Sequence, residues 1–116
     1  MNSFKDEFTF EKRLEESNKV LDKHPNRIPC IVEKCPKCNK VATIDKKKFL
    51  VPCDLTIGQF IFVIRKRLKI SPHEAIFIFV NNTIPPSTST ISEIYNKYKD
   101  LDKFLYFLYS SENTFG

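Results

Sequence analysis

Three short stretches, residues 28–32, 76–80 and 104–109, are apolar almost without interruption. A half-exposed strand alternates apolar and polar residues, whereas a continuous run is buried on both faces. The chain must therefore build a sheet that is covered on both sides. The covers have to come from the rest of its 116 residues. A further strand is expected at residues 49–51, where Pro52 stops it.

Helical patterns supply the covers. Thr56-x-x-Gln59 is a capping box, and Ile57, Phe60, Ile61, Ile64 and Leu68 follow on one face, which predicts a helix over 56–68. Thr90-x-x-Glu93 starts a shorter helix reaching about Tyr98. Upstream, Ser3 precedes a short helical segment at 4–8. Thr9 precedes a longer one, in which Phe10, Leu14, Ser17 and Leu21 make a narrow stripe that Val20 widens. His24-Pro25 ends it, because the residue before a proline avoids helical geometry. Ser71-Pro72-His73-Glu74 predicts a single turn, and Asn81-Asn82 a tight one. The order is helix, helix, strand, strand, helix, strand, short helix, strand. This is an α+β pattern, read as a β-grasp. A four-stranded mixed sheet carries the long helix across one face, and the N-terminal helical pair covers the other. Residues 1–24 form the helical extension, 25–110 the core and 111–116 a tail without periodicity.

Composition narrows the chemistry. Gly58 and Gly116 are the only glycines, so neither a dinucleotide-binding nor a phosphate-binding glycine loop can be built. His24 and His73 lie far apart, which excludes a multi-histidine metal centre. The net charge of +5 favours anionic partners such as membranes or acidic peptides. No apolar run approaches the roughly 18 residues of a membrane span. The first residues carry acids and lack the apolar core of a signal peptide. A cytoplasmic location is expected, with the four cysteines as thiols.

Several residues could carry function. Cys35-Pro-Lys-Cys38 is half of a zinc site or the centre of a redox motif. No second pair stands at metal-site spacing, so the plainer reading is two exposed loop thiols with no metal. Lys46-Lys-Lys48 and Arg65-Lys-Arg67 are basic triplets. Lysines beside a strand suit an open sheet edge, which can also accept a partner strand. Nucleic-acid binding would want aromatics interleaved with the basic residues, and Phe49 beside one triplet is weak support for it. Phe62 and Val63 lie off the buried stripe of the long helix. Gly116 ends a polar tail and leaves a slim carboxylate that fits a narrow active site.

The segments Phe10-Glu-Lys-Arg13, Ile31-Val-Glu-Lys34, Asp45-Lys-Lys-Lys-Phe-Leu-Val-Pro52, Asp54-Leu-Thr-Ile-Gly-Gln-Phe60, Ile64-Arg-Lys-Arg67, Phe79-Val-Asn-Asn82 and Ile84-Pro-Pro86 resemble the ubiquitin-like autophagy modifiers. The likeness is closest to the gamma-aminobutyrate-receptor-associated protein branch and covers nearly the whole chain. The resemblance implies a ubiquitin-like β-grasp with two N-terminal helices and a modifier that is not an enzyme and uses no cofactor. It implies that Gly116 is activated by an E1-like enzyme, passed to an E2-like enzyme and joined to phosphatidylethanolamine. A deconjugating cysteine protease would act on the same bond. The membrane would be the autophagosome or, in some lineages, a plastid-like organelle.

The resemblance also implies a groove for partner peptides of the form aromatic-x-x-aliphatic. A first pocket would use Glu16, Val20, Pro29 and Ile31 with Lys48, Leu50 and Phe104. A second would use Phe49, Val51 and Pro52 with Leu55, Phe60 and Val63. Arg27, Lys46 and Arg67 would meet acidic flanks. The cysteines stand outside the family pattern, so a small CxxC metal-binding or redox domain is the alternative.

Overall fold

The structure is a computed structural model that describes residues 3–38 and 40–112. The chain runs α1 (Phe4–Glu7), α2 (Phe10–Lys23), β1 (Arg27–Lys34), β2 (Lys48–Pro52), α3 (Ile57–Leu68), β3 (Phe77–Phe79), α4 (Ile91–Tyr98) and β4 (Leu105–Ser110), the order expected. Each helix starts where a hydroxyl can accept an otherwise unpaired backbone N–H: Ser3, Thr9, Thr56 and Thr90. Gln59 and Glu93 return the bond to Thr56 and Thr90. Asn81 and Asn82 both adopt positive φ, 51° and 64°, and close the two-residue turn between Val80 and Thr83. Asparagine tolerates that geometry better than most residues. Residues 71–74 form a turn rather than a helix, closed by the Glu74 N–H on the Ser71 carbonyl at 3.0 Å.

The sheet order is β2-β1-β4-β3. β1 is antiparallel to β2 and parallel to β4, while β3 is antiparallel to β4. Ile28 through Val32 are all buried, as the unbroken run requires. On one face Cys30, Val32, Phe49, Leu105 and Phe107 pack against Ile57, Phe60 and Ile64 of α3. On the other, Ile31 and Phe104 meet Phe4 of α1, with Tyr106 beside them. The Phe4 and Phe104 rings meet edge to face at 5.2 Å.

A polar knot fastens α2 to that second face. The Asp102 carboxylate, fully buried, accepts from Arg13 Nη1 at 2.6 Å, the Tyr106 hydroxyl at 2.5 Å and the Phe104 N–H at 2.9 Å. Its carbonyl accepts from the Ser17 hydroxyl at 2.6 Å. Burial first, and the Asp102 carboxylate second, push the Tyr106 phenol above its ordinary value, so it stays a donor.

Two expectations need correction. Phe10 is 41% exposed and does not join the buried stripe of α2. Ser17 is the buried residue of α2, its hydroxyl bonded to the Asp102 carbonyl, and Phe10 stands in solvent with Arg13 beside its ring. Cys35 and Cys38, expected as exposed loop thiols, are buried at 6% and 8% exposure. The reason is Tyr109. Its hydroxyl donates to the Ala42 carbonyl and accepts from the Ile44 N–H, both at 2.7 Å, and so draws the loop over the end of the sheet. Changing Cys35 and Cys38 together to serine should therefore cost about 1–3 kcal/mol, the usual range for hydroxyls placed in apolar surroundings. Urea denaturation measures it, and a loss below about 0.5 kcal/mol, typical of surface sites, would contradict the burial.

Candidate functional site

β2 lies at one edge of the sheet, with β1 on its inner side. The Val32 N–H donates to the Lys47 carbonyl at 2.8 Å and the Cys53 N–H to the Asn26 carbonyl at 2.9 Å. In an antiparallel ladder hydrogen-bonded pairs alternate along the strand. The inward groups are thus those of Phe49 and Val51, and the backbone N–H and C=O of Lys48 and Leu50 point off the open edge. Arg27 Nη1 reaches round to the Leu50 carbonyl at 3.0 Å. A segment added there would find a template of backbone donors and acceptors.

The strand's side chains divide between its two faces. Lys48 and Leu50, paired with Ile31 and Pro29, face the α2 side and are partly exposed. Glu16 and Val20 of α2 are half-buried beside them, and Lys48 is ion-paired to Glu16. Ile31 and Phe104 are fully buried, and Pro29 is also buried. Those are the residues expected at the first pocket, and they lie on the α2 side of the β2 edge. On the α3 side, Phe49 and Phe60 meet edge to face at 5.8 Å, with Val51 buried next to them. Leu55 is half-buried, Pro52 is exposed and Val63 is 39% exposed. Phe62, expected to lie off the stripe, is 58% exposed.

Basic groups stand on and near the edge strand. Lys46 lies over the Phe49 ring at 5.2 Å, a cation–π contact. Arg67 is exposed and bridges to Asp45 at 2.9 Å. Each of the three residues expected to meet acidic flanks has a partner within the chain: Arg27 a carbonyl, Lys46 a ring and Arg67 a carboxylate. Sequence reasoning missed the Arg27 contact and the Glu16–Lys48 pair, because neither leaves a local signal. Gly116 lies outside the described residues. Among the described residues no group of three or more His, Cys, Asp or Glu side chains gathers as a metal site. No helix among them is long and apolar enough to cross a membrane.

Residues 12–116 match the family model described as autophagy protein Atg8, ubiquitin like. The chain belongs to the Atg8 family. It is 56% identical over 115 residues to autophagy-related protein 8 of Schizosaccharomyces pombe, covering 99% of this chain and 94% of that protein. The Aspergillus niger autophagy-related protein 8 is 56% identical over 115 residues, with 99% of this chain and 97% of the relative covered. Among solved structures, Trypanosoma brucei ATG8 superposes with a TM-score of 0.90 at 45% identity, covering 100% of this chain and 99% of that one. Plasmodium falciparum Atg8, solved in complex with a P. falciparum Atg3 peptide, gives 0.89 at 38% identity, covering 97% and 98%. The Atg8-family chain described here is thus a ubiquitin-like autophagy modifier with the β-grasp fold that its sequence resemblance implied.

Proposed function

We propose that this chain is joined through Gly116 to the amine of phosphatidylethanolamine and, on the membrane so decorated, recruits proteins carrying aromatic-x-x-aliphatic segments. The observation that carries the recruiting half is the open β2 edge. Lys48 and Leu50 present backbone groups there, and the edge lies between two partly apolar faces with a basic rim. The Atg3 peptide held by the P. falciparum relative supports a peptide ligand for the family. The conjugating half rests on the family and on Gly116. E1-like and E2-like enzymes would load residues 111–116 and a cysteine protease would release them. The autophagosome, or a plastid-like organelle in some lineages, is the membrane in view, reached from the cytoplasm. The chain supplies no reaction of its own on this reading.

Backbone bonds to Lys48 and Leu50 hold any extended segment, and the pockets choose its side chains. One buried apolar anchor contributes on the order of 1.5–3 kcal/mol, so removing the peptide's aromatic should weaken binding roughly tenfold to a hundredfold. Leu50→Ala and Val63→Ala should each weaken it in the same direction. Phe49→Ala is a poorer test, since Phe49 packs in the core against Phe60 and its loss would destabilise the fold. Reversing charge at Lys46 and Lys48 should mainly slow association with an acidic peptide and flatten its salt dependence. Calorimetric titration checks the first set and stopped-flow mixing the second. Unchanged affinity in folded Leu50→Ala and Val63→Ala would place the binding surface elsewhere.

A further inference from the structure

The Cys35-Pro-Lys-Cys38 segment is a turn closed by the Cys38 N–H on the Cys35 carbonyl at 3.0 Å. A turn of this kind brings its first and last Cα atoms within about 7 Å, and disulfides span roughly 4.4–6.8 Å between Cα atoms. Both side chains are buried in the same apolar cluster. The turn is also fastened to the last strand. The Cys35 N–H donates to the Tyr109 carbonyl at 2.8 Å, and the Cys38 Sγ lies 3.3 Å from the Ser111 hydroxyl. Ser111 directly follows β4 and precedes the segment that ends in Gly116.

Cys38 differs from Cys30. Burial pushes the Cys30 thiol well above its ordinary value and makes it inert. Burial would do the same at Cys38, but hydrogen bonds from the Ser111 side chain and backbone, the Ser110 hydroxyl and the Lys40 amide outweigh it and hold the thiol at about 6. Cys38 is therefore far more readily ionised than Cys30 and retains 8% exposure. Tyr109, the titratable neighbour on β4, has its phenol raised by burial first and by the Cys38 charge among lesser causes, so it stays neutral.

We propose that Cys35 and Cys38 form a reversible dithiol–disulfide site at the root of the C-terminal segment, in which Cys38 reacts first with a hydroperoxide. The Cys38 thiolate attacks the peroxide, breaks its O–O bond and becomes a sulfenic acid, releasing hydroxide or alkoxide. The Cys35 thiol then attacks the sulfenic sulfur. The S–S bond forms, the sulfenic oxygen leaves as water carrying the Cys35 proton, and the hydroxide or alkoxide of the first step takes a proton from solvent. Two electrons pass from the thiols to the peroxide. A dithiol reductant reverses the change through a mixed disulfide. The disulfide carries no thiolate, so the Ser111 hydroxyl loses its charged acceptor and the end of β4 loses that tie.

Reduced full-length protein treated with hydrogen peroxide should lose two alkylatable thiols together and two hydrogens in mass. Fragment mapping should link Cys35 to Cys38, and dithiothreitol should restore both thiols. Ser111→Ala should slow the first step at neutral pH by roughly threefold to tenfold, and move the midpoint of its rate–pH profile upward from about 6. Cys38→Ser should form no disulfide. If that variant does not fold, the parent map and the Ser111→Ala profile still decide. A sulfinic Cys38 with Cys35 still alkylatable, a bridge to Cys30 or Cys53, or identical profiles for parent and Ser111→Ala would overturn the assignment.

Discussion

Asp102→Ala should cost about 3–5 kcal/mol, a large share of the roughly 5–15 kcal/mol that holds a domain of this kind together. The side chain is small and its loss leaves little cavity. The penalty comes from what it leaves behind: a guanidinium that is only 11% exposed, a phenol and a backbone N–H, all stripped of their shared acceptor. An unpaired buried charge is worse than none. Replacing Arg13 by methionine in the Asp102→Ala background should therefore recover part of the loss, and a double-mutant cycle in urea should show coupling above about 1 kcal/mol. The same change should loosen α2 first, because it removes the Arg13 anchor and leaves the Ser17 bond to the backbone carbonyl of residue 102 in the turn before β4. Amide exchange would rise in α2 before it rises in β1. A loss below about 1 kcal/mol, or strictly additive effects, would remove the knot from the list of what holds the N-terminal helices.

Deleting Gly116 should abolish lipid attachment altogether while leaving the melting temperature within a degree or two of the parent, as a surface change does. The residue lies outside the described part of the chain, so this rests on the proposed function. The acyl group to be activated is the carboxylate of that residue. Without it Phe115 is terminal, and its β-carbon and ring crowd the bond that must be attacked. The stability half follows from where the core sits: its buried apolar residues run from Phe4 to Tyr109. The measurement is reconstitution with E1-like and E2-like enzymes, ATP and phosphatidylethanolamine vesicles, read as a gel shift and by mass. A lipid adduct on the deletion variant would falsify the assignment of Gly116.

Much of this architecture was legible because its signals are local. Thr56 with Gln59, and Thr90 with Glu93, mark helix starts within four residues, and Asn81-Asn82 marks a hairpin within two. Unbroken apolar runs announced a sheet covered on both faces before any strand was paired. The proposed peptide site was suggested only by family resemblance, since its residues come from α2, β2 and α3 across long stretches of chain. What escaped depended on single distant side chains. Burial of Cys35 and Cys38 follows from the Tyr109 hydroxyl reaching Ala42 and Ile44. Asp102 sits in the charged run Lys99-Asp100-Leu101-Asp102-Lys103, where nothing separates a buried acid from its exposed neighbours. Phe10 looked like core because it keeps helical spacing with Leu14, yet spacing says nothing about where the supporting sheet ends.

The last strand lies inside the sheet, between β1 running parallel to it and β3 running antiparallel. If the chain is tethered by its final residue, a pull along the tail meets this strand lengthwise. The ladders on either side, which pair Cys30 through Lys34 and Phe77 through Phe79 with it, are then loaded in shear. Several hydrogen bonds must yield together rather than one after another. A cargo gripped at the β2 edge would pull on one margin of the same sheet, two strands from β4, so tension between cargo and bilayer would run across β1 and along β4. Held at those two places, the fold would serve as a mechanical coupling, whose lifetime under force is set by the rate at which that inner strand slides free.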